Sequence, residues 1–217
     1  MTKYAENVEN AVLYCVRVKT TSTQIGVKMS YIDEKMIKAM NAHKEGVQGS
    51  IEEGIFIKEE LYTFKEIDLF DNKMQIMLPE SFTDMPIEQA KLKYPMEQRP
   101  QVIKTNKRTD INYTFSLLEQ PIENRQMKMM RDSLRRALRR ARPDMKFMED
   151  GLEEVEGHTI GWFEFISNGL DGKLYNMMYF TPIDNKLMQG IFNCPIKEAQ
   201  NWKSVVLQVM HTIKEGK

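Results

Sequence analysis

Residues 158–193 read HTIGWFEFISNGLDGKLYNMMYFTPIDNKLMQGIFN. Three runs rich in aromatic and β-branched residues, at 160–166, 174–181 and 187–193, are separated by Asn168-Gly169 through Gly172 and by Asp184-Asn185. Short polar and glycine residues of that kind turn an extended chain back on itself. A further run at 147–155 precedes Glu156-Gly157, so the reading is four antiparallel strands in series. Side chains alternate across a strand, which sets Ile160, Trp162 and Ile166 against Phe163 and Phe165. In the next strands Leu174, Met178 and Phe180 oppose Tyr175, Met177 and Tyr179, and Leu187 and Ile191 oppose Met188 and Phe192. A sheet with one face in water would carry polar residues at alternate positions, and here that pattern is weak. Both faces therefore need cover, either from the chain's own helices or from an apolar segment of another protein or a second copy.

Outward from this meander, two amphipathic segments are placed to supply cover. Residues 123–141 carry an apolar stripe at Met127, Met130, Leu134, Ala137, Leu138 and Ala141, and Pro143 follows the end. Pro195 opens a terminal helix over 196–214, with Trp202, Val206, Val209 and Ile213 on one face. Upstream, 61–70 and 73–78 form a hairpin about Asp71-Asn72, Pro86 starts a short helix before Pro95, and 101–105 and 111–118 read as strands. The expected fold is α+β: a central antiparallel sheet of six or seven strands, packed by helices near 86–94, 122–141 and 196–214. Residues 1–60 read as an accessory unit: a hairpin from 11–20 and 24–31, a helix capped by Asp33, and a glycine-marked connector at 46–54. The main domain then covers 61–217.

The 217 residues suit one full-sized core. With 41% hydrophobic and 29% charged residues the composition excludes fibrous and wholly disordered chains, and no apolar run reaches the length of a spanning helix. The opening MTKYAENVEN lacks the basic start and apolar middle of a secretory signal, so a cytoplasmic location without membrane insertion is expected. Balanced charge, 31 basic against 31 acidic residues, gives no global field to attract nucleic acid. Cys15 and Cys194 form no CxxC pair and read as buried small hydrophobes.

Several segments in order carry a resemblance: LPESFTDM at 78–85, RPDMKF at 142–147 closing the long helix, VEGHTIGWFEF at 155–165, GKLYNMMYF at 172–180 and NWKSVVLQVM at 201–210. From residue 61 onward the chain resembles the PsbP/Mog/DcrB superfamily, and within it the DcrB-related branch that includes the Eag-type chaperones of secretion effectors. That resemblance implies a twisted antiparallel sheet flanked by helices, no catalytic residues, and a role as adaptor, chaperone or binding module. Periplasmic and lipoprotein members carry export signals, and the departure from them favours the intracellular chaperone-like members.

Motifs for chemistry are sparse. His43, His158 and His211 are far apart and none sits in HExxH, and there is no GxSxG, P-loop or GxGxxG, so neither catalytic residues, metal ligands nor a cofactor are assigned. Two surfaces are candidates for a partner. The first is an apolar sheet face formed by Trp162, Leu174, Asn176, Met178, Phe180 and Ile191, on which an apolar helix of an effector-like protein would lie. Seventeen methionines, against ten phenylalanines, suit such adaptable packing and equally suit an ordinary core. The second is the long helix, where Arg131, Arg135, Arg136, Arg139 and Arg140 form a charged row that is either a solvated face or a dock for an acidic protein or nucleic acid. Aromatic residues for base stacking are missing from it, which disfavours nucleic acid. The acidic run Glu149, Asp150, Glu153, Glu154 and Glu156 is a candidate to receive part of that charge within the chain or across a homodimer.

Overall fold

The computed structural model describes residues 48–95, 99–169 and 172–216. The expected hairpin of 11–31 and the helix after Asp33 lie outside the described residues. The connector expected at 46–54 is strand and turn in its described part. β1 (Gln48–Ser50) turns into β2 (Gly54–Ile57), and β3 (Glu60–Tyr62) completes a three-stranded antiparallel sheet. Gly49, which read as linker, has φ of 116° and crosses the backbone of Gly54 closely, a conformation that L side chains rarely adopt. Ile51, Ile55 and Ile57 are buried in the same core as Trp202, so the boundary drawn near residue 60 falls inside this small sheet.

β4 (Phe64–Leu69) and β5 (Met74–Pro79) form the expected hairpin, with Phe70, Asp71 and Asn72 at positive φ in its turn. β6 (Thr83–Asp84), α1 (Ile87–Lys93), β7 (Val102–Thr105) and β8 (Asn112–Pro121) follow. A 3-10 turn at Asn124–Gln126 leads into α2 (Met127–Ala141); there Glu123 and Gln126 form a reciprocal capping box that satisfies the first free N–H groups. β9 (Lys146–Val155), β10 (His158–Gly169), β11 (Gly172–Ile183) and β12 (Lys186–Pro195) form the meander. The chain ends in α3 (Ala199–Met210) and β13 (Lys214–Glu215).

The main sheet has seven strands in the order β6-β7-β8-β12-β11-β10-β9, each pair antiparallel. The fold is thus the α+β class expected. On one face Met127, Met130, Leu134 and Leu138 of α2 cover Phe163, Phe165, Met178, Phe180, Leu187 and Ile191. The opposite face is covered by Trp202, Val205, Val206 and Val209 of α3, by Met74, Ile76 and Leu78 of β5, and by Ile55 of β2. Both faces of β10 to β12 are therefore covered by the chain itself, while Leu152 on the edge strand β9 stays 38% exposed.

The terminal helix stops at Met210, short of the expected 214. Thr212 ends it: its hydroxyl donates to the Val209 carbonyl at 2.7 Å and accepts the Met77 N–H at 2.9 Å, and Lys214 then pairs with Gln75 of β5. Ile213 stays buried, as a residue of that extended exit rather than of the helix.

Candidate functional site

The six residues expected to form one apolar sheet face do not share a face. Gly169 pairs with Gly172, so even-numbered residues of β10 stand opposite odd-numbered residues of β11. Met178 consequently pairs with Phe163 and Ile191, and Asn176 with Phe165, all on the α2 side. Trp162 pairs with Tyr179 and Gly151 and lies on the α3 side. Met178, Phe180 and Ile191 are sealed beneath α2, while Leu174 at the hairpin end keeps partial exposure. The Asn176 amide N–H groups donate to Ser167 Oγ at 2.9 Å and to the carbonyls of Phe165 and Leu174, so its donors are taken within the chain. As an open docking face this set is corrected: α2 already occupies it.

The arginines of α2 sort into two groups. Arg131 and Arg135 point toward β9 and hold one carboxylate, Asp150, at 3.0 and 2.7 Å. Arg135 also donates to the Met148 carbonyl at 3.0 Å, and Arg131 reaches Asp132 at 2.8 Å. Arg139 lies over the Phe147 ring at 5.1 Å, within cation–π range. Arg142, past the helix end, pairs with Asp144 at 3.0 Å, and that hydrogen bond holds the Asp144 carboxyl below its usual range. At 100° per residue, Lys128, Met129, Asp132, Arg136, Arg139 and Arg140 fall within about a third of the circumference, opposite the buried stripe. Lys128, Arg136, Arg139 and Arg140 are exposed, and Met129 is 54% exposed among them. Of the acidic run, Asp150 is the residue that takes the arginines.

A third arrangement was missed in the sequence. β9 carries a bulge: Phe163 pairs with Asp150 but Phe165 with Phe147, so Met148 and Glu149 together stand against Glu164. The extra residue turns Glu149 to the α3 side, where Lys203 bridges Glu149 at 3.0 Å and Glu164 at 2.7 Å. Glu164 has no solvent exposure, and burial raises its pKa against the lowering pull of Lys203. For Lys203 burial acts to lower the pKa, yet the two carboxylates outweigh it and the net shift is upward. Burial, then the adjacent Glu164, pushes the Tyr175 hydroxyl up as well. The signal for this cluster was an acid at an inward position of an otherwise apolar strand, Glu164 between Phe163 and Phe165. Its geometry ties the edge strand to α3.

Among the described residues no group of three or more His, Cys, Asp or Glu side chains is placed to hold a metal ion, and no helix is long and apolar enough to cross a membrane. Cys194 is buried, which pushes its thiol up and away from the reactive thiolate.

A seven-stranded antiparallel sheet packed by α2 on one side and α3 on the other defines a PsbP-like α+β fold. The solution structure of cyanobacterial PsbP (CyanoP) from Synechocystis sp. PCC 6803 matches 73% of this chain and 95% of its own, with a TM-score of 0.52 at 9% sequence identity. At that identity the likeness concerns the fold alone. LpqN of Mycobacterium tuberculosis, described as involved in cell envelope biogenesis, matches 74% of this chain and 95% of its own at 8% identity and a TM-score of 0.46. A crystal structure from Bacteroides thetaiotaomicron VPI-5482 matches 70% of this chain and 48% of its own at 12% identity, with a TM-score of 0.44. No family model and no curated protein matches the sequence.

Proposed function

We propose that this chain is a non-enzymatic adaptor that binds another protein through the outer arc of α2. The observation that carries the reading is the residue of charge left after internal pairing: Asp150 accounts for Arg131 and Arg135, whereas Lys128, Arg136, Arg139 and Arg140 stay exposed around Met129. Cations around an exposed apolar side chain suit an acidic protein segment that brings one apolar residue to Met129. Nucleic acid fits less well. The arc is only about 18 Å long at 1.5 Å per residue, has no aromatic side chain for stacking, and carries Asp132 in its middle.

A finer form of the reading is a chaperone for an effector of a secretion machine, as in the DcrB-related branch. It draws on the order of the LPESFTDM, RPDMKF and GKLYNMMYF segments. An adjacent toxin-like gene whose product has apolar helices near its N-terminus would support this form, and co-purification of that product would test it. Since α2 covers the sheet, such a client would engage the arc before any apolar surface.

The test is fluorescence anisotropy with a labelled Glu-rich, Leu-containing peptide and a single-stranded DNA of equal charge. The expected result is preference for the peptide and about a tenfold loss of affinity in Arg136→Glu/Arg140→Glu, from two ion pairs of roughly 0.2 to 1 kcal/mol each plus the reversed charge. Equal or tighter DNA binding would move the reading to an electrostatic nucleic-acid module.

A further inference from the structure

We infer that a second copy of this chain is a partner of the α2 arc, docked through the outer face of the β1–β2–β3 sheet; this rests on the arc being a docking surface. Phe56 and Leu61 are directly paired across β2 and β3, and they are 52% and 48% exposed. Their strand neighbours Ile55 and Ile57 point the other way into the core, so the sheet presents the pair from an anchored base. Large apolar side chains side by side at a surface mark contact sites.

The surrounding charge selects the occupant. Glu52 and Glu53 lie in the turn before β2, and Glu59 lies beyond its other end, all three exposed; Glu60, paired with Ile57, falls on the inner side with Tyr62. The nearby cation Lys58 is engaged by the buried carboxylate of Glu198 at 2.8 Å, which leaves the glutamates in excess. The result is an apolar pair framed by acids, and α2 carries the converse: an exposed methionine framed by Lys128, Arg136, Arg139 and Arg140. The two surfaces are opposite in sign and alike in having an apolar centre, and every copy holds both. With zero formal net charge, no overall repulsion opposes their approach. Because the surfaces differ, the contact is head-to-tail and leaves one free half at each end, so it propagates or closes as a ring.

Sedimentation velocity on the full chain tests this. The expected result is assembly beyond a monomer at low salt, reverting toward monomer at high salt. Phe56→Asp/Leu61→Asp and Arg136→Glu/Arg140→Glu should each be monomeric, with circular dichroism and melting temperature close to those of the parent. An equimolar mixture of the two should give a 1:1 dimer and nothing larger, since each variant retains one intact half. A monomeric parent at low salt, a variant that still assembles alone, or a mixture that stays monomeric would overturn the proposal. So would a monomer in which Phe56→Cys, in a Cys15→Ser background, is shielded from a maleimide, because residues 1–47 of the same copy would then be the cover. The acidic peptide separates the two levels: a monomeric parent that binds the peptide through Arg136 and Arg140 loses only the second copy, whereas loss of peptide binding as well removes the docking role of α2.

Discussion

Lys203 of α3 reaches Glu164 of β10 at 2.7 Å, and Glu164 has no contact with solvent. Removing the cation strands a buried carboxylate, and breaking such a pair from one side costs about 3 to 5 kcal/mol. Lys203→Met should therefore destabilise by roughly that amount at neutral pH, and Glu164→Gln/Lys203→Met should recover most of it. Urea denaturation of the parent and the two variants would decide; a double variant no more stable than the single would mean the loss came from lysine packing.

The same pair sets a pH dependence. Burial raises the folded pKa of Glu164 above its ordinary 4.5, so the folded state binds that proton more tightly than the unfolded chain. Its contribution is favourable below the ordinary carboxylate value and is lost as pH rises through the raised one. Glu149 and Tyr175 face the same group, and Lys203 offsets the penalty while it is charged. Lys203 itself has a raised pKa, so its contribution persists through neutrality and disappears at alkaline pH above its ordinary 10.5. Lys203→Met should thus regain melting temperature relative to the parent as pH falls from neutrality toward the ordinary carboxylate range and Glu164 takes up its proton. A constant difference across that window would show that Glu164 does not titrate there.

Trp162 rests on Gly151 of the edge strand, where an added Cβ would lie 2.6 Å from the indole. Backbone and ring cannot both stay, and the Trp162 N–H also donates to Glu153 at 3.3 Å. Gly151→Ala should cost about 1 to 3 kcal/mol through overpacking, with a shift in tryptophan emission. Unchanged stability and emission would mean that β9 moves freely away from the ring.

Phe180→Asp or Met178→Asp would probe the apolar sheet face if that face were open. Both residues are fully buried beneath α2, so either change places a charge in the core and should unfold the protein at ordinary temperature. Phe180→Ala, a milder change, should cost about 3 to 5 kcal/mol in denaturation. A folded, stable Phe180→Asp would mean that α2 leaves the sheet readily, and would restore the face as a client site.

The strands around Phe163, Met178 and Phe192 were legible because apolar alternation and turn residues are local signals. The need to cover both faces followed from the same alternation, and α2 and α3 supply that cover. What escaped was set by register. Position within its own strand cannot group Trp162 with Met178, because its face depends on which residue of β11 stands opposite, and the Gly169–Gly172 pairing decides that. The bulge that brings Glu149 to Glu164 is likewise a property of two strands together, invisible in either alone. The arginine row looked uniform in sequence, yet Asp150, on the following strand, divides it.

That division gives the final prediction. Asp150 accepts from Arg131 and Arg135, both partly buried, while Arg135 also covers the Met148 carbonyl at the bulge. Asp150→Ala leaves two guanidinium groups without their shared acceptor and should cost about 1 to 3 kcal/mol, the range for a charged hydrogen-bonding partner that is incompletely buried. Arg136→Ala and Arg140→Ala, on the exposed arc of the same helix, should each change stability by no more than about 0.5 kcal/mol. Thermal melts of the three variants at low and high salt separate the sets, because a pair shielded against β9 is screened less than an exposed charge. If Asp150→Ala proved as mild as the arc variants, the arginines facing β9 would be as solvated as those facing away, and the leftover charge assigned to the arc would no longer be distinct.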